Sequence, residues 1–270
     1  MDDWLTTNRA HWDERVPLHI ASPFYDVEGF KGGKPQLLPF EVDELGPLDG
    51  SAVVHLQCHF GLDTLDLARM HPTVMVTGLD FSAPAVEAAN RLAQQVRLAG
   101  RARFVVGEVY RAAEALGGHR FDVVYTGKGS LLWLPDIDRW ASVVHDLLAP
   151  NGFLYLSEFH PVAEALADDQ PTPGYDYFAS EPTWFEAAGS YAAAGAVTSH
   201  NAGAEWHHPL GRVISALRGA GLSLELFHEW DFTVYQQFPW LVRGSDGRWR
   251  WPGPGTLPLM YSLKAIRTAH

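Results

Sequence analysis

Only one cysteine, Cys58, occurs in 270 residues, so no disulfide can close within the chain. Neither C-x-x-C nor H-E-x-x-H spacing is present, which removes the usual zinc and dithiol chemistries, and no metal is expected. Cations are few as well: 20 Lys and Arg against 32 Asp and Glu leave a formal net charge of −12. A surface that tracks phosphates needs a basic face, so a nucleic-acid substrate is not expected. Long apolar runs are absent too. No stretch of about 18 apolar residues suggests a membrane span. The opening MDDWLTTNRAHWDERV lacks the apolar centre of a secretory leader. These absences predict a soluble, cytoplasmic protein, monomeric or homodimeric, with a small-molecule partner. No internal repeat or low-complexity tract interrupts it, and the dinucleotide fingerprint G-x-G-x-x-G is missing.

Against those absences stands a hydrophobic content of 47%, enough to fill the core of one α/β domain with a substantial insertion. The chain is organised around residues 51–64, SAVVHLQCHFGLDT. Ala52 to Leu56 is a short β-branched run, as expected of a strand buried on both faces of a parallel sheet. Gln57-Cys58-His59-Phe60-Gly61 must then turn sharply, because Leu62, Leu65 and Ala68 recur at helical spacing. Amides at such a helix start face the open end of the sheet, where a polar ligand edge can bind.

Two acids fall at the ends of the next two strands. The apolar run 74–79 ends in Asp80, 19 residues beyond Gly61, and the run 103–107 ends in Glu108. An acid at about this distance from the turn is placed to accept hydrogen bonds from ribose hydroxyls. The second acid is placed to take an adenine amino group. Ser82 is a helix N-cap candidate, followed by an apolar face at Val86, Ala89, Ala93 and Val96. Strands near 52–57, 74–79, 103–107, 121–126 and 153–158 alternate with helices near 62–70, 83–99, 111–116 and 138–148. This pattern predicts parallel strands with right-handed crossovers and helices on both faces.

The stretches HLQCHFGLDTLDLAR, VTGLDFSAPAVEAA, FVVGEVY, FDVVYTGKGSLLWLPDIDRW and LAPNGFLYLSEFHP resemble successive motifs of class I S-adenosylmethionine-dependent methyltransferases. Order and spacing match over residues 40–160, with a looser match to the end. The fold so implied is a Rossmann-like, doubly wound, mostly parallel seven-stranded sheet with an antiparallel last strand. The implied cofactor is S-adenosylmethionine, held by Gln57, Cys58, His59 and Gly61 in the turn, by Asp80, Phe81 and Ser82, by Glu108 and Val109, and by Thr126. One departure stands out. The family usually has an acid at His55 and glycines at Gln57 and His59, so those two side chains are expected to crowd the methionine moiety or replace backbone contacts. A bacterial small-molecule subgroup with the same HLQCH variant is similar, which implies a working site.

Outside the core, residues 1–35 form an aromatic leader. Trp4, Asn8 and Trp12 or His11 share a helical face, and Gly29, Gly32 and Gly33 would permit a hinge. The segment is expected to pack on the flank or to act as a lid, with Trp12 and Tyr25 reaching the cofactor. Residues 161–206 shift to Pro, Gly, Ala and aromatics and read as an insertion of antiparallel strands or loops. Residues 222–230 and 259–266 are the final strand pair, separated by an aromatic segment at 231–258. Eight of the ten tryptophans lie outside residues 50–160, suggesting an enclosed pocket roofed by the added segments.

His160, just past the fifth strand, is the leading candidate base, with Glu158 positioning it or binding the acceptor and His59 as a third candidate. His200, His207 and His208 are weaker ones, and His55 reads as a hydrogen-bonded core residue. The resulting expectation is methyl transfer to an oxygen or nitrogen of a small metabolite in secondary metabolism. Cofactor binding without methylation is the alternative. A nicotinamide-dependent dehydrogenase is disfavoured by the missing glycine fingerprint and by Glu108.

Overall fold

The computed structural model describes residues 3–268. A long helix α1 (Asp3–Ala21) and short helices α2 (Val27–Lys31) and α3 (Pro39–Leu45) precede the core. The core then alternates β1 (Ala52–Leu56), α4 (Leu62–Met70), β2 (Met75–Asp80), α5 (Ala83–Gln95), β3 (Ala102–Val106), α6 (Ala112–Ala115), β4 (Phe121–Gly127), α7 (Ile137–Leu147) and β5 (Leu148–Phe159). After α8 (Pro161–Glu164) comes a hairpin, β6 (Thr183–Glu186) with β7 (Ala202–Glu205), then α9 (Leu210–Gly219) and β8 (Leu222–Trp230). The strands β9 (Phe232–Thr233), β10 (Val242–Arg243) and β11 (Trp249–Arg250) make a small sheet of their own, and β12 (Met260–Arg267) ends the fold.

The main sheet has the order β3-β2-β1-β4-β5-β12-β8. Strands β1 to β5 pair in parallel, and β12 runs antiparallel to both β5 and β8. The expected seven-stranded, mostly parallel sheet with an antiparallel last strand is therefore what forms. Period-two alternation divides its side chains between two cores. Val53, Val76 and Val123 join α4 and α5 on one face, while Val54, Leu79 and Val124 join α7 and α9 on the other. Both faces of β1 are buried, which is why its sequence shows no polar alternation. Helix α5 starts where Ser82 caps it, its hydroxyl accepting from the Ala85 amide at 3.2 Å.

Two boundaries differ from the sequence reading. Helix α5 stops at Gln95, short of the expected end near 99, where Val96 leaves the helical region and Arg97 takes a φ of 61°. Strand β5 begins at Leu148 rather than near the expected 153, because the residues Asn151-Gly152, with Asn151 at a φ of 65°, are carried as an irregularity in the pairing with β4. The insertion holds the expected antiparallel pair, β6 with β7. Among the described residues, no helix is long and apolar enough to cross a membrane.

Strand order reverses on either side of β1, which pairs with β2 and β4. The crevice at the carboxyl ends of those strands is where open α/β sheets bind ligands. The insertion and the segment after β8 supply further walls above it.

Candidate active site

The turn after β1 alternates handedness. Gln57, His59 and Gly61 have φ of 55°, 50° and 80°, a left-handed conformation that costs a non-glycine residue about 1–3 kcal/mol. Such strain persists only where the surroundings impose it. The Cys58 amide donates to the Leu79 carbonyl at 3.0 Å, and the His59 amide to Asp80 Oδ2 at 2.7 Å. Gln57 Nε2 donates to the Ser130 carbonyl at 2.9 Å, so its side chain ties this turn to the loop after β4. A side chain at Gly61 would be strained twice, by the φ of 80° and by a Cβ that would stand 2.4 Å from the Phe104 ring and force it to shift.

Asp80 ends β2 with both oxygens engaged, accepting from His59 and, at 2.9 Å, from the Ser82 amide. Burial pushes its carboxyl up to about 6 despite those two amides. Glu108 follows β3 and accepts from the Tyr110 amide at 2.9 Å; burial raises its carboxyl too. A cavity of about 1190 Å³ opens between them. It is lined by Gln57, Cys58, His59, Gly61, Asp80, Phe81, Glu108 and Val109, and by Trp12 and Tyr25, whose rings pack against His59. Ten of the twelve expected cofactor residues therefore face one space. Ser82 and Thr126 do not line it. Ser82 orients Asp80 and caps α5, while the Thr126 hydroxyl lies 3.1 Å from that of Ser130.

Two of the three candidate catalytic residues are also set back from the cavity, contrary to expectation. Glu158 is fully used in holding the loop after β4, accepting from the amides of Gly129, Ser130 (2.8 Å), Leu131 (3.1 Å) and Phe159 (2.8 Å). His160 is buried, caps α8 by accepting from the Val162 amide at 3.1 Å, and meets Glu229 with Nε2 at 3.1 Å. Strand-end position alone did not reveal that both ring nitrogens have partners. His55 is the expected core histidine, its Nδ1 2.8 Å from the Thr64 hydroxyl. His200 is exposed beside Glu14, His208 contacts the Leu134 carbonyl at 2.7 Å, and His207 lines the cavity.

His59 remains. Its Nε2 is 2.9 Å from His19 Nδ1, and Trp12 and Tyr25 pack edgewise or tilted against its ring at 5.4 and 5.8 Å. Burial, then His19, pushes it well below the ordinary histidine value.

Lys128, at φ 55° in the loop after β4, pairs with Glu41 at 2.9 Å and Asp63 at 3.0 Å, and the Tyr125 hydroxyl donates to Glu41 at 3.1 Å. Burial opposes the charge on Lys128, but the two carboxylates raise it above the ordinary lysine value.

Helix α1 buries a polar face. Asn8 exchanges two hydrogen bonds with Ala204, and Arg15 donates to the carbonyls of His200 and Ala187, at 2.8–3.0 Å. Of the expected face, Asn8 and the alternative His11 are the buried members, and the buried face continues through Arg15 and His19. Its i, i+4 spacing was visible in the sequence, but the residue types pointed to solvent.

The family model described as "Methyltransferase domain" matches residues 54–154. An uncharacterized protein of Synechococcus is 30% identical over 108 residues, 40% of this chain; the match spans about a quarter of that protein. A SAM-dependent methyltransferase from Methanosarcina mazei superposes with a TM-score of 0.57 at 18% identity, covering 87% of this chain and all of its own. Geranyl diphosphate C-methyltransferase from Streptomyces coelicolor, solved with S-adenosylhomocysteine, gives 0.60 at 13% identity over 98% of both chains. The cyclase SpnF gives 0.59 at 13% identity over 97% of this chain and 96% of its own. At these identities the likeness is one of fold. The cofactor that goes with this domain and fold is S-adenosylmethionine. Residues 54–154 match a methyltransferase domain, and the chain around them has the fold seen in S-adenosylmethionine-dependent methyltransferases.

Proposed function

We propose that this protein transfers a methyl group from S-adenosylmethionine to an oxygen or nitrogen atom of a small metabolite. One observation carries the reading: the left-handed turn 57–61 and the strand-end acids Asp80 and Glu108 share a single cavity with aromatic side chains of the insertion and the C-terminal segment. Sites for one drug-sized ligand run to about 300–1,000 Å³, and this cavity of about 1190 Å³ has room for a cofactor and an acceptor.

The residues present fit the cofactor. Gln57 turns its amide to Ser130, and His59 turns Nε2 to His19, so neither substituted side chain fills the space. Asp80 would accept from ribose hydroxyls and Glu108 from the adenine amino group. S-adenosylmethionine, once bound, supplies an electrophilic methyl group. The rest falls to the chain, which must align the acceptor, exclude water and take a proton where the acceptor carries one. Alignment alone contributes roughly 7–11 kcal/mol to such a displacement. Trp12, Trp133, Phe185 and Tyr235 supply apolar wall for that purpose. His59 is the proton acceptor best placed for a hydroxyl or ammonium nucleophile, because its Nδ1 has no partner among the described residues.

The acceptor end is acidic. Glu164 and Glu205 line the cavity, and their carboxylates meet no hydrogen-bond donor or cation among the described residues. Burial, then the Glu158 and Glu205 carboxylates, raises Glu164, and burial, with Asp168 next, brings Glu205 to about 7. An acceptor presenting an amine or several hydroxyl donors to that wall suits it best. Residues 3–35 complete the enclosure as a lid, fastened to the insertion by Asn8 and Arg15.

Calorimetry with S-adenosylmethionine, S-adenosylhomocysteine and NAD tests the cofactor; binding of NAD alone would refute the reading. A screen of amines and phenols for products 14 mass units heavier tests the transfer. Cofactor binding with no such product from any class would favour non-methylating chemistry.

A further inference from the structure

His59 does not stand alone at the cavity wall. Its Nε2 lies 2.9 Å from His19 Nδ1, and His19 Nε2 lies 2.6 Å from the Ser190 hydroxyl, which also accepts from the Ala192 amide at 3.2 Å. Three distant parts of the sequence thus meet in one line: the turn after β1, helix α1 and the insertion. The line starts at a cavity-lining ring and ends at a hydroxyl that is only half-buried.

We propose that His59, His19 and Ser190 form a proton relay that carries the acceptor's proton out of the cavity, with His19 and Ser190 as positioning residues that set the tautomer of His59. This rests on the methyl-transfer reading above. In the resting chain His59 carries its hydrogen on Nε2 and donates to His19 Nδ1, and His19 carries its hydrogen on Nε2 and donates to Ser190 Oγ. His59 Nδ1 is then a bare lone pair with no partner among the described residues, on a ring that lines the cavity. The acceptor's proton passes to Nδ1 as the His59 Nε2 proton moves to His19 Nδ1. The His19 Nε2 proton moves to Ser190 Oγ, and the Ser190 hydroxyl proton leaves to water. Every ring gains one proton and loses one. When product leaves, water takes the proton from His59 Nδ1 and returns one at Ser190, which restores the first arrangement.

The environment favours a relay over a base that must hold charge. Burial, with Arg15 and His11 next, brings His19 down to about 4, and no carboxylate bonds either ring. An imidazolium here would be unsupported. The other groups facing the pair are the rings of Trp12, Tyr25, Phe60 and Tyr191, with Asp80 reaching only the His59 backbone amide. A neutral imidazole has one donor and one acceptor nitrogen, so each hydrogen bond in the line fixes the next.

The test needs no acceptor. Nitrogen-15 NMR of the free full-length protein, wild type against Ser190→Ala and His19→Asn, reports which ring nitrogen carries hydrogen. The expected wild-type result is a protonated His59 Nε2 hydrogen-bonded to His19 Nδ1. Ser190→Ala should move the His59 ring resonances although Ser190 does not touch that ring, and His19→Asn should abolish the nitrogen-to-nitrogen coupling. A wild-type His59 protonated on Nδ1, or His59 resonances the same in Ser190→Ala as in wild type, overturns the relay. Calorimetry with S-adenosylhomocysteine on the same samples keeps the two readings apart. No binding to wild type counts against methyl transfer, while normal binding with unmoved resonances counts against the relay alone.

Discussion

Replacing Lys128 by methionine removes the cation shared by Glu41, whose side chain is fully buried, and Asp63, whose side chain is 24% exposed. Breaking a buried ion pair from one side costs about 3–5 kcal/mol, because the remaining charge is left without a partner. Glu41 keeps the Leu38 amide at 2.8 Å and the Tyr125 hydroxyl at 3.1 Å, and water screens part of Asp63, so the lower end, about 3 kcal/mol, is expected. The left-handed φ at position 128 burdens lysine and methionine alike and cancels. At roughly 2–4 °C per kcal/mol for a chain of this size, the melting temperature should fall by about 6–12 °C. Urea unfolding at pH 7, followed by tryptophan fluorescence, reads the free energy directly. Adding Glu41→Gln should recover most of the loss, since it neutralises the carboxylate with no exposure. A loss under about 1 kcal/mol, or a double variant no more stable than Lys128→Met, would show that the pair is not the brace of this loop.

Asp80, raised to about 6 in the free protein, should bind S-adenosylhomocysteine better as pH rises through that value; a flat affinity from pH 5 to 8 in calorimetry would remove it from the ribose site. The sign for folding is opposite, because the folded state holds this proton between 3.8 and about 6 and so loses stability as pH rises through that window. Asp80→Asn should weaken binding by roughly 1–3 kcal/mol. His160→Ala should lower stability yet leave cofactor affinity and turnover near wild type, since the ring does not line the cavity; a hundredfold fall in kcat in a folded variant would return the ring to the chemistry. Hydrogen exchange in α1 should slow when S-adenosylhomocysteine is added, and unchanged protection would leave α1 as flank packing only.

Local sequence determined the parts of this protein whose cause is local. The β1 run, the turn at 57–61, the acids ending the next two strands and the alternation of strands and helices follow from period and spacing, which a single chain segment carries in itself. Those features were enough for the fold and for eight of the positions that line the cavity, with Trp12 and Tyr25 added from the aromatic leader. Where side chains point after a strand ends was not local. Glu158 and His160 share the address of a catalytic residue, but the loop amides at 129–131 and Glu229 occupy them, contacts that lie 27 to 29 and 69 residues away. His19 and Ser190 carried no signal at all, because their meaning arises only when α1 lies between the turn and the insertion, 40 and 171 residues distant from His19. Hydrophobic periodicity sets which face of a segment turns inward; hydrogen bonds between remote segments decide what a polar residue does, and those exist only once the chain has closed on itself.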